Sequence, residues 1–391
     1  MQKQTTAIHA RYQQPDAYGA LSMPVYHCAA YEFANAEDMI ESFCGRSDMP
    51  DYSRVTNPTV TYFERKVRML TDAADVVAFS SGMAAISNAL LALSSAGKNI
   101  VTSRHLFGNT FALLSGTLRR FGVEVRCCDL THPSEVELLM DDDTCCIFME
   151  ILTNPQMEVA DIPSLSALAH RRGVPLVADT TMIPFTEFSG KALGIDVEVV
   201  SSTKYLSGGA TSIGGLVIDY GRYETFTHRM RQEMLMNLGA YMTPHVAYMQ
   251  TLGLENLAAR YAVQTDNALR VAEALAEHPE IVSVRYPALP SDPFHDVFTR
   301  QFGARGGAMI TFQLASREAC FRFINRLQLI KRATNLFDNR SLAIHPASTI
   351  FGNFTDEQRR EMDILDNLIR FSVGLESPID LIADIQVALA H

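Results

Sequence analysis

The stretch Val200-Ser201-Ser202-Thr203-Lys204-Tyr205-Leu206-Ser207-Gly208-Gly209 follows an apolar run, Ile195 to Val200, and leads into a small-residue turn, Ser207 to Gly215. A buried strand that delivers one lysine to the edge of a Gly-rich loop makes little sense as packing, because lysine is rarely buried without a partner. The placement suits an amine that must lose its charge and attack a carbonyl, as in a Schiff base. The hydroxyls of Ser201 and Thr203 flank it as ready donors to a phosphate.

Working outward from Lys204, short apolar runs alternate with helical patterns from about residue 59 to 220. Strands are expected at Val76 to Phe79, Ile100 to Ser103, Cys145 to Met149, Val174 to Ala178, Val197 to Val200 and Gly215 to Asp219. Helices are expected at Met83 to Leu93, Thr110 to Arg120 and Pro163 to Arg171. That alternation predicts an α/β fold: a mostly parallel sheet with helices on both faces. A long helical region, about 245 to 277, leads into strand-like segments at Ile281 to Tyr286, Ala308 to Phe312 and Ile369 to Val373, read as a smaller C-terminal α+β domain. Residues 1–55 show no sustained period and read as an extended arm. The expected division is an arm over 1–55, a cofactor domain over 56–245 and a substrate-side domain over 246–391.

The bulk numbers narrow the classes. The chain has 391 residues, 47% hydrophobic, with formal net charge −11 and no dense Lys/Arg run, so nucleic acid is an unexpected partner. No apolar stretch reaches the length of a membrane span, and the first residues lack the apolar segment of a signal peptide. Seven cysteines include two adjacent pairs, Cys127-Cys128 and Cys145-Cys146, both in strand-like runs, and none has zinc-site spacing. Buried reduced thiols, no metal and a cytoplasmic location are the expectation.

Four further features gain meaning beside Lys204. Phe79-Ser80-Ser81-Gly82-Met83 sits where a strand meets a helix, and free N–H groups at a helix start form an anion site; a simple Ser-capped turn is the competing reading. Asp179 ends a strongly apolar run, at the sheet edge where ligands bind in open α/β folds, and could keep a heteroaromatic nitrogen protonated or merely cap a helix. Asn154, in Glu150-Ile151-Leu152-Thr153-Asn154-Pro155, could donate to a phenolate-type oxygen or only form an Asn-Pro turn. Arg370 lies inside a strand-like segment and needs a partner: a substrate carboxylate or a structural ion pair. Together these are the parts of a pyridoxal phosphate enzyme acting on an amino acid.

At these residues the chain resembles the Cys/Met-metabolism family of pyridoxal-phosphate enzymes over nearly its whole length. The likeness includes Tyr52-Ser53-Arg54-Val55-Thr56-Asn57-Pro58-Thr59, Ser80-Ser81-Gly82-Met83, Asn154-Pro155, Asp196 through Gly208, His345-Pro346-Ala347-Ser348, and Arg370 with Ser372-Val373-Gly374-Leu375-Glu376. It implies the aspartate-aminotransferase-like fold (fold type I) and pyridoxal 5'-phosphate carried on Lys204. It places Ser81, Gly82, Met83, Ser201 and Thr203 in a phosphate cup and Asp179 at the pyridine nitrogen. Asn154 is implied beside the cofactor, Arg370 on the substrate α-carboxylate, and Asn335 on the substrate side. Tyr52 and Arg54 match residues lent to a neighbouring subunit, within a tetramer built from two active-site-sharing dimers.

Departures from the family pattern choose within it. After Ser207-Gly208 the chain reads Gly209-Ala210-Thr211, without the usual His. More telling is Leu106-Phe107-Gly108-Asn109-Thr110, with Phe107 where many members have a ring-stacking tyrosine that serves as an acid. Methionine γ-lyases place a cysteine where this chain has Asn109. Phenylalanine stacks but cannot donate a proton. A departing thiolate benefits from protonation, whereas acetate or succinate leaves as a stable anion. The expectation is therefore γ-replacement on O-acetyl- or O-succinylhomoserine by sulfide or a thiol, with methionine or cystathionine γ-lyase (or γ-synthase) activity as the alternative. Asn339-Arg340-Ser341-Leu342 ahead of His345-Pro346 also resembles the acetylhomoserine branch. Two rivals are weaker. Ser201-Ser202-Thr203-Lys204 formally fits the S-x-x-K pattern of serine acyl-enzymes, without the companion motifs. A non-catalytic relative is disfavoured by intact Lys204, Asp179 and Arg370.

Overall fold

The computed structural model describes residues 2–10, 16 and 18–390. Its centre is a seven-stranded sheet made of β1 (Asp75–Phe79), β2 (Asn99–Ser103), β3 (Glu124–Cys128), β4 (Thr144–Glu150), β5 (Leu176–Asp179), β6 (Val197–Val200) and β7 (Gly215–Asp219). The spatial order is β1-β7-β6-β5-β4-β2-β3. All neighbours are parallel except at β7, which runs against both β1 and β6. The carboxyl ends of β1, β2, β4, β5 and β6 therefore share one edge of the sheet.

These strands form where the sequence is apolar on successive residues, because both faces are covered. Side chains alternate between faces, and the alternation builds two cores. Val76, Ala78, Val101, Ile147, Met149 and Ala178 pack on one side, and Val77, Phe79, Ile100, Cys146, Phe148 and Val177 on the other. Phe148 is fully buried; truncating such a ring to alanine costs about 3–5 kcal/mol. The Leu93 end of the helix after β1 carries no acidic or basic residue, and its other end starts at Gly82 under a Ser81 cap whose Oγ accepts from Ala84 N.

A second sheet holds β8 (Ser283–Arg285), β9 (Met309–Gln313), β10 (Lys331–Arg332), β11 (Leu342–Ile344) and β12 (Leu368–Ser372), in the order β10-β11-β12-β9-β8. β10 and β11 go beyond the three strands that the sequence marks. Helices Leu257–Ala276, Arg317–Arg326 and Pro378–Leu389 cover this sheet around Ala272, Phe312, Phe323 and Ile385. The long helical region is two helices, Pro244–Glu255 and Leu257–Ala276, separated at Asn256.

The N-terminal segment corrects the expectation of a wholly extended arm. Helix α1 (Lys3–His9) and helix α2 (Ala36–Phe43) lie within it, while residues 1, 11–15 and 17 of the arm fall outside the described residues. α1 holds by docking rather than by periodicity: Ala7 is buried in the main core, and Lys3 Nζ donates to the carbonyls of Phe185 and Phe188. Asn35 caps α2 by accepting from Asp38 N.

Candidate active site

The common strand edge gathers most of the residues singled out in the sequence. β6 ends at Val200, and the turn Ser201 to Lys204 follows it directly. Lys204 Nζ donates to Asn335 Oδ1 at 3.0 Å. Burial lowers the pKa of this amine to about 8; the charge of Arg370 pushes the same way, and Asp179 opposes both.

Asp179 ends β5, where its Oδ1 accepts from Thr181 N at 2.9 Å. Burial raises its pKa, against the Thr181 hydrogen bonds and the charge of Lys204. Arg370 stands in the middle of β12 and is 3% exposed. Its Nη1 donates to Asn154 Oδ1 at 3.3 Å and its Nη2 to the Thr334 carbonyl at 2.8 Å. Both partners are neutral, and among the described residues no carboxylate pairs with it. Burial alone pulls its pKa down to about 9. A buried guanidinium without a counter-charge is costly, and an incoming carboxylate would supply the missing charge.

The turn after β1 meets the turn after β6. A Cβ on Gly82 would stand 2.6 Å from Ser201 Cβ, so only glycine lets the helix start approach this closely. The N–H groups of Gly82 and Met83, at the helix start, have no partner within the helix, and free N–H groups of this kind can receive an anion. Ser201 N donates to Thr181 Oγ1 at 2.8 Å, which ties this turn to the Asp179 strand end. Thr203 is less free than its sequence position implies. Its hydroxyl donates to the Gly214 carbonyl at 3.2 Å and accepts from Gly214 N at 3.1 Å.

Phe107 precedes the helix Gly108–Ala112, and its N–H donates to Glu150 Oε1 at 2.5 Å. The other oxygen of Glu150 accepts from Asn154 N at 3.2 Å. One buried carboxyl thus fixes both segments, and it lies beside Asp179 in the β4–β5 register. Burial, reinforced by Asp179, pushes the pKa of Glu150 well above the carboxylate range. Sequence reasoning quoted Glu150 and gave it no role. The available signal was its position, ending an apolar strand as Asp179 does.

Two residues stay apart from this cluster within one chain. Arg54 Nη1 donates to the Met236 carbonyl, its guanidinium lies 5.3 Å over the Tyr52 ring, and Tyr52 is exposed.

Residues 4–390 match the family described as Cys/Met metabolism PLP-dependent enzyme. The chain belongs to this family. A methionine γ-lyase from Pseudomonas deceptionensis is 37% identical over 389 residues, covering 98% of this chain and 96% of that protein. An O-succinylhomoserine sulfhydrylase from Mycobacterium tuberculosis is 35% identical over 371 residues, covering 94% of this chain and 90% of that protein. A crystal structure of a candidate O-acetylhomoserine (thiol)-lyase from Campylobacter jejuni, containing N'-pyridoxyl-lysine-5'-monophosphate, matches all of both chains with a TM-score of 0.96 at 32% identity.

This Cys/Met-metabolism enzyme accordingly has fold type I and uses pyridoxal 5'-phosphate in chemistry on amino acids. The site fits that cofactor: a lysine whose pKa is lowered to about 8, a carboxylate at a strand end, and a glycine cradle at a helix start. Among the described residues no cluster of His, Cys, Asp and Glu could hold a metal ion, and no helix is long and apolar enough to cross a membrane.

Proposed function

We propose that the enzyme carries out γ-replacement on an O-acylated homoserine, with sulfide or a small thiol displacing acetate or succinate to give homocysteine or methionine. Phe107 carries this reading. Its backbone is fixed by Glu150 beside the Asp179 strand end, and its ring has no proton to give a leaving sulfur. A carboxylate leaving group needs none.

Bound pyridoxal phosphate supplies the electron sink that makes the substrate's α-proton removable. Lys204 would carry the cofactor, and its amine, neutral above about pH 8, is the base that takes the α-proton and later returns it. Asn335 aims that amine. Asp179 would hold a proton on the ring nitrogen. Gly82 and Met83 N–H groups, with Ser201, would hold the phosphate, and Thr203 supports the turn at Gly214. Arg370 receives the α-carboxylate, with Asn154 and Thr334 holding its guanidinium in place.

Gamma-elimination from methionine is the second reading, favoured by the 37% identity to a methionine γ-lyase. The two are separated by kcat/KM for O-acetyl- and O-succinylhomoserine with sulfide against methionine and cystathionine alone. The esters should win clearly, and Phe107→Tyr should raise elimination relative to replacement. Faster release of methanethiol from methionine than consumption of either ester would reject γ-replacement as the main activity. We further propose a cytoplasmic protein, in keeping with described cysteines that are all free, assembled as a tetramer of site-sharing dimers.

A further inference from the structure

One short loop touches both cationic side chains of the site. Its Thr334 carbonyl accepts from Arg370 Nη2, and its Asn335 side chain accepts from Lys204 Nζ. Two residues on, Phe337 has φ +56°, a left-handed backbone that L residues with a bulky side chain rarely adopt. Such a conformation persists only where the surroundings enforce it. Here two contacts do. The Phe337 ring, 1% exposed, lies flat on the Tyr205 ring, with centroids 4.0 Å apart and planes 5° from parallel. Tyr205 is the residue after Lys204. Its own ring is held from elsewhere: the hydroxyl accepts from Ala308 N at 3.1 Å, and Tyr261 packs edge-on at 5.4 Å. Finally, Phe337 N donates to Ser372 Oγ at 2.7 Å, two residues beyond Arg370 on β12.

Burial of an aromatic ring does not by itself require a left-handed backbone. What the conformation accomplishes is geometric. It turns the loop so that one residue meets the Lys204 segment through its ring and the Arg370 strand through its N–H. We propose that Phe337 is a positioning residue that sets the spacing between the Lys204 amine and the Arg370 guanidinium, acting through Asn335 and Thr334. The proposal rests on the reading of Lys204 as base and Arg370 as carboxylate receptor.

The test uses the holoenzyme with its preferred ester and sulfide. Phe337→Leu keeps bulk and loses the flat stack. It should lower kcat/KM roughly tenfold to a hundredfold, the scale expected when a reacting group is misplaced by a fraction of a bond length to about 1 Å. KM should rise and kcat fall together, with cofactor content unchanged. Asn335→Ala should show a similar loss, and the double variant should lose little more, because both act through one contact. Tyr205→Phe keeps the stacked ring and removes only the hydroxyl bond to Ala308. It should be less stable than wild type in denaturant, yet retain kcat/KM. If Phe337→Leu does not fold, Tyr205→Leu removes the stack from the other side and takes its place in the cycle. A cofactor-loaded Phe337→Leu enzyme with wild-type kcat/KM, or losses that simply add with those of Asn335→Ala, overturns the positioning role. Lys204→Ala run in parallel separates the two levels: turnover surviving in that variant overturns the functional reading itself, whatever Phe337 does.

Discussion

Lys204 owes its chemistry to what surrounds it. Burial and the nearby Arg370 charge remove most of the advantage of the ammonium form and bring its pKa to about 8. Protein stripped of pyridoxal phosphate should therefore recapture it at a rate that rises with pH through a midpoint near 8 and then levels off. An exposed lysine would keep gaining rate toward its ordinary value of about 10.4. Arg370→Ala removes the second of the two depressing influences, so its plateau should move to higher pH. Stopped-flow absorbance of cofactor capture measures both, and an unmoved plateau in Arg370→Ala would show that burial alone sets the lysine. The gathering of Lys204, Asp179 and Arg370 is legible in the sequence because each breaks a local rule: a charged group stands at the end of, or inside, an apolar run. Glu150 breaks the same rule, but its two acceptor contacts are to backbone N–H groups, which carry no residue signature.

At the scale of elements, the loop between β2 and the Phe107 helix is fastened by a histidine that the sequence did not single out. His105 Nδ1 lies 2.6 Å from Glu158 and its Nε2 lies 3.0 Å from Asp363, so it joins two segments 205 residues apart (363 less 158). Burial works against the imidazolium, but the two carboxylates outweigh it and raise the pKa above the ordinary value. A raised folded-state pKa means stability that is fully present below the unfolded value, near 6.5, and is lost as pH rises through the folded one. His105→Gln should accordingly be less stable than wild type at pH 6, by about 1 kcal/mol, since Asp363 is solvent-exposed and contributes little. The gap should close toward pH 9 in urea titrations, and a gap independent of pH would mean that packing, not charge, is what the ring supplies. Such clasps explain where sequence reading stopped. The strands of the main sheet follow from local apolar runs, whereas the 334–338 loop, the His105 clasp and helix α1 depend on partners far along the chain. α1 has no apolar stripe to announce it; its Lys3 finds carbonyl partners more than 180 residues away.

At the scale of the whole molecule, the single chain leaves apolar side chains of its N-terminal arm exposed. Helix α2 turns Met39, Ile40 and Phe43 outward, and Leu21 and Tyr18 of the same arm are exposed as well. Exposed apolar side chains of this kind are the expected surface of the proposed subunit contact. The same arm carries Tyr52 and Arg54, and inside one chain the Arg54 guanidinium rests on the Met236 carbonyl and the Tyr52 ring instead of the anion site at Gly82 and Ser201. If Arg54 serves a phosphate, that phosphate belongs to the neighbouring subunit. Arg54→Ala and Lys204→Ala should then each be inactive alone and regain activity when mixed under conditions of subunit exchange. In a hybrid dimer, one site receives Lys204 from the first variant and Arg54 from the second, while the other site lacks both. Random pairing at equal amounts makes half the dimers hybrid, so the mixture should approach roughly one quarter of wild-type activity per subunit. Exchange is verified independently by mass spectrometry of differently tagged subunits. Proven hybrids with no recovery would place Arg54 and Lys204 in the same chain's site and remove the reason for the arm to cross.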